Sequence, residues 1–331
     1  MNLLVNAWYK KSVWLVLLKP LSFIFRIVSE YRRRQFSKGR KKQYQADIPV
    51  IVVGNISVGG TGKTPLVIYL VEQLKKAGYS PGVVSRGYRS KAKSYPFKVL
   101  PDSSPLESGD EALLIAQNTQ CPVIIDADRV AAVKILEQDY DCDVILSDDG
   151  LQHYRMARDI EIAVVDGTRG FGNGLLFPAG PLREKPSRLT EVDYVICNSK
   201  SNAEVPVNSV PMELISQSLC HIKSGEHFPV DEKAGNRQKV HAVAGIGNPE
   251  RFFTSLCECG FDIITHVFKD HHQYSKADIS FDDELDVVMT EKDALKCKGF
   301  AGEKDWYLKV EAVLRASFMQ NLLTQLKTVK R

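Results

Sequence analysis

What the sequence lacks sets its first limits. Nowhere does it hold ~20 consecutive apolar residues, the length a spanning helix needs. The two apolar runs near the N-terminus, Val13 to Leu18 and most of Leu21 to Val28, are interrupted by Lys19, Pro20 and Arg26. No small-residue cleavage site follows a short apolar core, which argues against a secretory signal. Internal repeats and low-complexity tracts are absent. The charge excess is only +4, too mild to identify a partner, and nucleic-acid binding is not expected. The seven cysteines, Cys121, Cys142, Cys197, Cys220, Cys257, Cys259 and Cys297, are odd in number and scattered through apolar segments. That argues against disulfides and for a reducing compartment. Cys257 and Cys259 have no second Cys or His pair at zinc spacing.

What is present is a normal globular composition, 44% hydrophobic and 25% charged, with an uneven start. Trp8, Tyr9, Trp14, Phe23 and Phe25 make the first residues aromatic, and Arg32, Arg33, Arg34, Lys38, Arg40, Lys41 and Lys42 follow at once. Leu21, Ile24, Phe25, Val28 and Tyr31 fall on one helical stripe. An apolar face beside a basic cluster describes a segment lying in the surface of an anionic membrane. A core-packing helix followed by a solvated basic loop fits the same pattern.

From residue 47 short apolar runs alternate with helical stretches. Strands are expected over 49–53, 81–85, 121–125, 143–147, 161–165 and 194–197, and helices over 63–77, 108–117 and 129–138. The runs are β-branched and nearly continuous, as in strands buried on both faces. Alternation of this kind implies a mainly parallel sheet with right-handed crossovers. Residues 201–238 read as polar and irregular. A second set follows, with strands over 240–244, 263–268, 286–289 and 306–310 and helices over 249–259 and 313–326.

The strongest chemical signal follows the strand at 50–53. Ser57, Val58, Gly59, Gly60, Thr61, Gly62, Lys63 and Thr64 form a glycine-rich loop that opens a helix. Glycines let backbone N–H groups converge on phosphate oxygens at a helix N-terminus. Lys63 can then reach the β- and γ-phosphates of ATP, and Thr64 can ligate Mg²⁺. The usual first glycine of such loops is replaced by Ser57. Asp148 and Asp149 end an apolar strand, and two adjacent carboxylates there fit the Mg²⁺-holding partner of a P-loop. Asp110, in Ser108-Gly-Asp-Glu111, is either a helix-capping acid or a base near the γ-phosphate; spacing alone favours capping. In Asp270-His271-His272 two extended neighbours point to different faces, so a shared metal is not expected. One histidine paired with a carboxylate suits catalysis, but the residues alone favour an ordinary surface histidine.

Taken together these pieces resemble the tetraacyldisaccharide 4'-kinases, the lipid A 4'-kinases. The matching residues are Gly54-Asn55 with Gly59 to Pro65, Ser85-Arg-Gly-Tyr88, Gly109-Asp-Glu111, Asp148-Asp-Gly-Leu-Gln-His153, Pro178-Ala-Gly-Pro-Leu-Arg-Glu184, Asp270-His-His272 and Thr290-Glu-Lys-Asp-Ala294. The resemblance implies transfer of the ATP γ-phosphate to the 4'-hydroxyl of an acylated disaccharide lipid, giving lipid IVA. It further implies that Asp110 is the catalytic base with His271 in support, and that Asp148 and Asp149 serve Mg²⁺. Arg183 and Glu184 would lie near the metal and phosphates. The expected organisation is a membrane-associating helical segment at 1–46, an α/β P-loop kinase core at 47–205, a linker at 206–238 and a smaller α/β domain at 239–331. The chain is expected to be a monomer at the cytoplasmic face of the inner membrane. A nucleotide switch is the competing class, but Thr290-Glu-Lys-Asp293 has the letters of a guanine reader in the wrong order. A kinase for a small cytosolic metabolite is the other.

Overall fold

Pro20, which interrupts the N-terminal apolar run, starts a helix rather than breaking one. In the computed structural model, which describes residues 3–10, 12–199, 205–206, 208–230 and 238–329, the helix Leu3–Tyr9 (α1) and a 3-10 turn Val13–Leu18 precede the helix Lys19–Ser37 (α2). Pro20 lies in the first turn of α2, where its missing N–H would have no helical partner anyway. The face of α2 that meets the protein carries Ser22, Phe25, Arg33 and Phe36. Ser22 Oγ donates to Leu176 O at 2.8 Å and accepts from Ala179 N at 2.9 Å. Phe25 packs edge-on to Phe177, and Arg33 forks onto Glu191. Leu21, Ile24, Val28 and Tyr31 point outward instead, each more than half exposed. Only Phe25 of the stripe packs inward, so the core-packing alternative does not hold for α2.

The chain then lays down β1 (Val50–Gly54), α3 (Lys63–Lys76), β2 (Pro81–Ser85), β3 (Phe97–Val99), α4 (Pro105–Ser108) and α5 (Asp110–Thr119). Next come β4 (Val123–Ile125), α6 (Arg129–Asp139), β5 (Val144–Asp148), β6 (Ile160–Asp166) and β7 (Tyr194–Asn198). Val50 and Val52 cluster with Ile145, Val84 and the Val130, Val133 and Leu136 face of α6. Ile51 and Val53 alternate onto the opposite side of the sheet, and all four are buried. Burial on both faces is why the run is continuously apolar. The strands pair in the order β7-β6-β1-β5-β2-β4-β3. All these pairs are parallel except β3 on β4. β1 thus lies between β5 and β6, with Val53 in register with Asp148. The acids of β5 therefore end beside the loop that leaves β1.

The stretch read as irregular contains a 12-residue strand, β8 (Val210–His221), and its hairpin partner β9 (His227–Pro229). Pro211, Glu213, Ile215 and Gln217 alternate outward along β8, which gave it the composition of a loop. β8 pairs with β7 through Val210–Met212. Leu214–Ala312 form one compact unit, and the described residues on either side of that span form the other.

Within Leu214–Ala312 lie β10 (Lys239–Ala244), α7 (Pro249–Glu258), β11 (Asp262–Val267), β12 (Asp286–Thr290), α8 (Glu291–Cys297) and most of β13 (Asp305–Leu314). β10 is parallel to β11 and β12, and β12 to β13. The C-terminal helix α9 (Ala316–Thr328) belongs to the other unit, where Phe318 packs edge-on to Tyr194 and Gln325 donates to Asp193.

Asp293 is the polar anchor of the 214–312 unit. It is wholly buried and accepts from Gly245 N at 2.8 Å, Thr290 Oγ1 at 2.7 Å and Lys296 Nζ at 3.1 Å. Asp293→Ala strands a buried lysine and two donors, so urea unfolding of the variant is expected to show a loss of about 3–5 kcal/mol.

Candidate active site

The glycine loop is held open by its neighbours. Asn198 at the end of β7 donates to Thr61 O at 2.9 Å, and Asn55 donates to Thr61 Oγ1 at 3.3 Å. Gly62 has φ +93°, and a Cβ there would stand 2.4 Å from Asn198 Nδ2, so only glycine fits. The Pro178–Glu184 segment backs the loop: Val58 N donates to Pro181 O and Arg183 N to Ile56 O, both at 2.7 Å. Gly59 and Gly60 lie exposed at the rim. Lys63 and Thr64 begin α3, as a phosphate cradle at a helix N-terminus requires.

The acids of β5 have opposite environments. Asp149 takes φ +48°. Its Oδ1 lies 3.4 Å from Lys63 Nζ, and Arg183 Nη1 donates to both of its oxygens at 3.1 Å. Burial works against its charge, but Lys63 and Arg183 overcome that and hold its carboxyl well below the usual range. Asp148 is 4% exposed. Burial first, then the charge of Asp149, push its pKa up to about 6. Its Oδ2 accepts from Ser85 Oγ at 3.1 Å, and its Oδ1 has no hydrogen-bond partner among the described residues. An orphaned, buried carboxylate oxygen suits a divalent cation. Among the described residues no group of three or more His, Cys, Asp or Glu could hold a metal. A Mg²⁺ ion fits such a site because it takes one or two carboxylates plus substrate phosphate oxygens and water.

Glu184 stands differently. Its Oε1 accepts from Gln152 Nε2 at 2.7 Å and its Oε2 from Tyr154 OH at 2.6 Å. Both oxygens are engaged by protein donors, and Gln152 in turn accepts from Arg183 at 3.3 Å. Glu184 is thereby tied to Gln152 and through it to Arg183, while Asp148 Oδ1 has no hydrogen-bond partner among the described residues.

Asp110 is the first residue of α5, 5% exposed, after Gly109 at φ +75°. A Cβ on Gly109 would stand 2.9 Å from Tyr88 O, so the 85–88 loop packs directly on this turn. Ser85 of that loop bonds Asp148, and the charge of Glu111 also bears on Asp148. The start of α5 is thereby tied to the acids of β5. His271 belongs to the 214–312 unit. It sits at φ +61°, its N–H donates to Gly245 O at 3.1 Å, and its Nε2 lies 3.3 Å from Lys292 Nζ. His272 instead stacks on Phe268 and lies 3.5 Å from Asp278.

Sequence reading missed Arg129. It is 3% exposed in the first turn of α6, burial lowers its pKa to about 10, and the charges of Asp148 and Asp149 counter that fall. A cation in the first turn runs against the helix dipole, which was the available signal.

A strand, a braced glycine loop, a lysine and hydroxyl opening the next helix, and paired acids on the adjacent strand define a P-loop nucleotide-dependent phosphotransferase site. The sequence profile of the tetraacyldisaccharide-1-P 4'-kinases (LpxK) matches residues 14–327. Over 332 residues the chain is 45% identical to the tetraacyldisaccharide 4'-kinase of Pasteurella multocida, covering 99% of each. Over 316 residues it is 47% identical to that of Pseudomonas syringae pv. syringae, covering 96% of this chain and 95% of the relative. Its fold matches the "apo" form of LpxK from Aquifex aeolicus in complex with ATP, with a TM-score of 0.80 and 26% identity, over 95% of this chain and 99% of that one. The chain belongs to the tetraacyldisaccharide-1-P 4'-kinase family.

Asp148 yields a pH-dependent prediction. Its native pKa of about 6 lies above the ordinary 3.8, so the folded state binds the extra proton. Stability from this group is present below about pH 4 and lost as pH rises through about 6. Asp148→Asn removes the penalty. Thermal melts of the nucleotide-free variant are expected to show a gain on the order of 3 kcal/mol at pH 8 that vanishes below about pH 4.

Proposed function

We propose that this chain transfers the γ-phosphate of ATP to the 4'-hydroxyl of a tetraacyldisaccharide 1-phosphate, giving lipid IVA in lipid A assembly. The observation that carries this reading is the convergence of Lys63, Asp149 and Arg183 beside the orphaned Asp148 Oδ1, in a chain whose family is defined by that reaction. Residues Ser57 to Thr64 hold the triphosphate, with Lys63 at its β- and γ-phosphates. Thr64, Asp148 and Asp149 would hold Mg²⁺, which when bound supplies charge neutralisation between the phosphates. Asp110 takes the proton of the acceptor hydroxyl as the new O–P bond forms, and the bond from the γ-phosphorus to the β-γ bridging oxygen breaks to release ADP. By its position in the Asp270-His271-His272 motif, His271 is assigned a supporting acid–base role. Lys292, close to His271 Nε2, bears on its tautomer.

The acceptor explains the N-terminus. Four acyl chains leave a bilayer only at a cost of ~0.8 kcal/mol per CH₂, so the enzyme works at the surface where they are embedded. No helix among the described residues is long and apolar enough to cross a membrane. Yet Val13, Leu17, Leu21, Phe23, Ile24, Ile27, Val28 and Tyr31 are all more than half exposed. An outward apolar face of this size, followed by Arg32, Arg33 and Arg34, suits an interfacial segment on the cytoplasmic leaflet of the inner membrane.

The direct test is transfer from γ-³²P-ATP to the purified disaccharide lipid with Mg²⁺. Asp110→Asn is expected to lower kcat by about 10²–10⁴-fold while ATP binding persists; normal turnover would refute the base. Replacing Arg32 and Arg34 by Glu, and leaving Arg33 on Glu191, is expected to weaken co-sedimentation with anionic vesicles, each basic residue contributing about 1 kcal/mol. Unchanged sedimentation would sink the interfacial assignment.

A further inference from the structure

The turn Asp166-Gly-Thr-Arg169 leaves β6 on the side of β1 opposite the Asp148–Asp149 acids, and none of the roles above uses it. Asp166 is 4% exposed, and its Oδ1 accepts from the N–H groups of Thr168 at 3.0 Å and Arg169 at 3.1 Å. That fixes the turn and sends the Arg169 guanidinium back over the glycine loop. Arg169 Nη1 lies 4.0 Å from where a Cβ on Gly59 would stand, and among the described residues it is the one heavy atom within 4 Å of that point outside residues 58–60. The other side of the guanidinium lies over the ring of Tyr9, 5.3 Å from its centroid. Tyr9 ends α1, and Val58 of the loop packs on the same Ala7, Trp8 and Leu15 cluster as Tyr9.

A planar guanidinium can stack by its face and bind a phosphoryl oxygen by its N–H edge. Stacking on Tyr9 fixes the plane of the group beside the loop. The backbone around Gly62 and Lys63, at the helix N-terminus, holds the inner phosphates. A cation beside Gly59, on the exposed leading arm of the loop, is placed for the terminal one. Lys63 approaches from the β5 side, where Asp149 holds it, and Arg169 from the β6 side. During transfer, negative charge spreads over three oxygens of the moving phosphoryl group, and cations on two sides counter it better than one.

We propose that Arg169 is a catalytic residue that contacts the γ-phosphate of ATP, a cation supplied by the chain itself and held ready by Tyr9. The proposal rests on the reading of residues 57–64 as the ATP site. Glycine at 59 then has a second reason beyond its φ of +120°: any side chain there would grow toward the guanidinium.

The test compares ATP and ADP affinities by calorimetry, with kcat from the γ-³²P assay, in full-length Arg169→Ala, Arg169→Lys, Tyr9→Leu and Lys63→Ala proteins. Arg169→Ala is expected to lower kcat about 10²–10³-fold and to weaken ATP about 10-fold while leaving ADP unchanged. Arg169→Lys should restore part of both, because it keeps the charge and loses the fork. Tyr9→Leu should give a smaller loss, again confined to ATP. The ATP-to-ADP ratio is taken within each variant, so a loosened fold, which weakens both nucleotides alike, cannot mimic the effect. Equal loss of both nucleotides in Arg169→Ala, or none, overturns the proposal. Lys63→Ala separates the two levels. If it loses both nucleotides while Arg169→Ala discriminates neither, only the role of Arg169 falls. If it binds both normally, the loop reading falls and the proposal with it.

Discussion

Two carboxylates share the end of β5, and in a site this buried they cannot both stay charged without help. The structure resolves the repulsion by dividing the help unequally. Lys63 and Arg183 both reach Asp149, so it carries the charge. Asp148, left with one serine hydroxyl, holds its proton to about pH 6. The division depends on the register that sets Val53 beside Asp148, because only then do Lys63, at the head of α3, and Asp149 come within range of each other. A site ordered this way is poised before any ligand arrives. The lysine proposed to meet phosphate is already held by an acid, and the acid proposed to meet a cation has one oxygen with no hydrogen-bond partner among the described residues.

The second dependency is the Pro178–Glu184 segment. Its backbone holds the glycine loop through Val58 and Ile56, and its side chains hold Asp149 and Gln152. On its outer side Pro178 O accepts from the buried Trp8, and Ala179 N donates to Ser22 of α2. The segment proposed to face the lipid surface and the loop proposed to hold ATP therefore lean on opposite sides of the same few residues. Gly180 has no room for a side chain, since a Cβ would stand 2.1 Å from Leu175 O. That close packing makes the segment a stiff spacer between the two.

Legibility in the sequence followed burial and locality. β1 was readable because burial on both faces leaves an unbroken β-branched run, and the glycine loop because its requirements are local in sequence. Asp148 and Asp149 were readable as a pair, but their opposite ionisation was not, since it depends on Lys63 and Arg183 brought from elsewhere in the chain. β8 was hidden because one side of it carries Pro211, Glu213 and Gln217. Helical spacing found the apolar stripe of α2 but not its direction. A stripe is the same pattern whether it turns toward a core or away from it, and only the contacts of Ser22, Phe25 and Arg33 show that this one turns outward. Arg129 was missed because its one local signal, a cation in a first helical turn, does not say that the charges bearing on it lie at the end of another strand.

The outward face of α2 and the support of the glycine loop also limit each other. Apolar surface this exposed would ordinarily be withdrawn into a core. Here the inward face of the helix is committed to polar anchoring: Ser22 to two backbone groups and Arg33 to Glu191. Rotating α2 to hide Leu21, Ile24 and Val28 would break those bonds and pull Ala179 away from its partner. Because Ala179 belongs to the segment that backs the glycine loop, the cost would fall on the nucleotide site as well. The exposed stripe persists because the geometry of the phosphate cradle is built partly on the other side of the same helix.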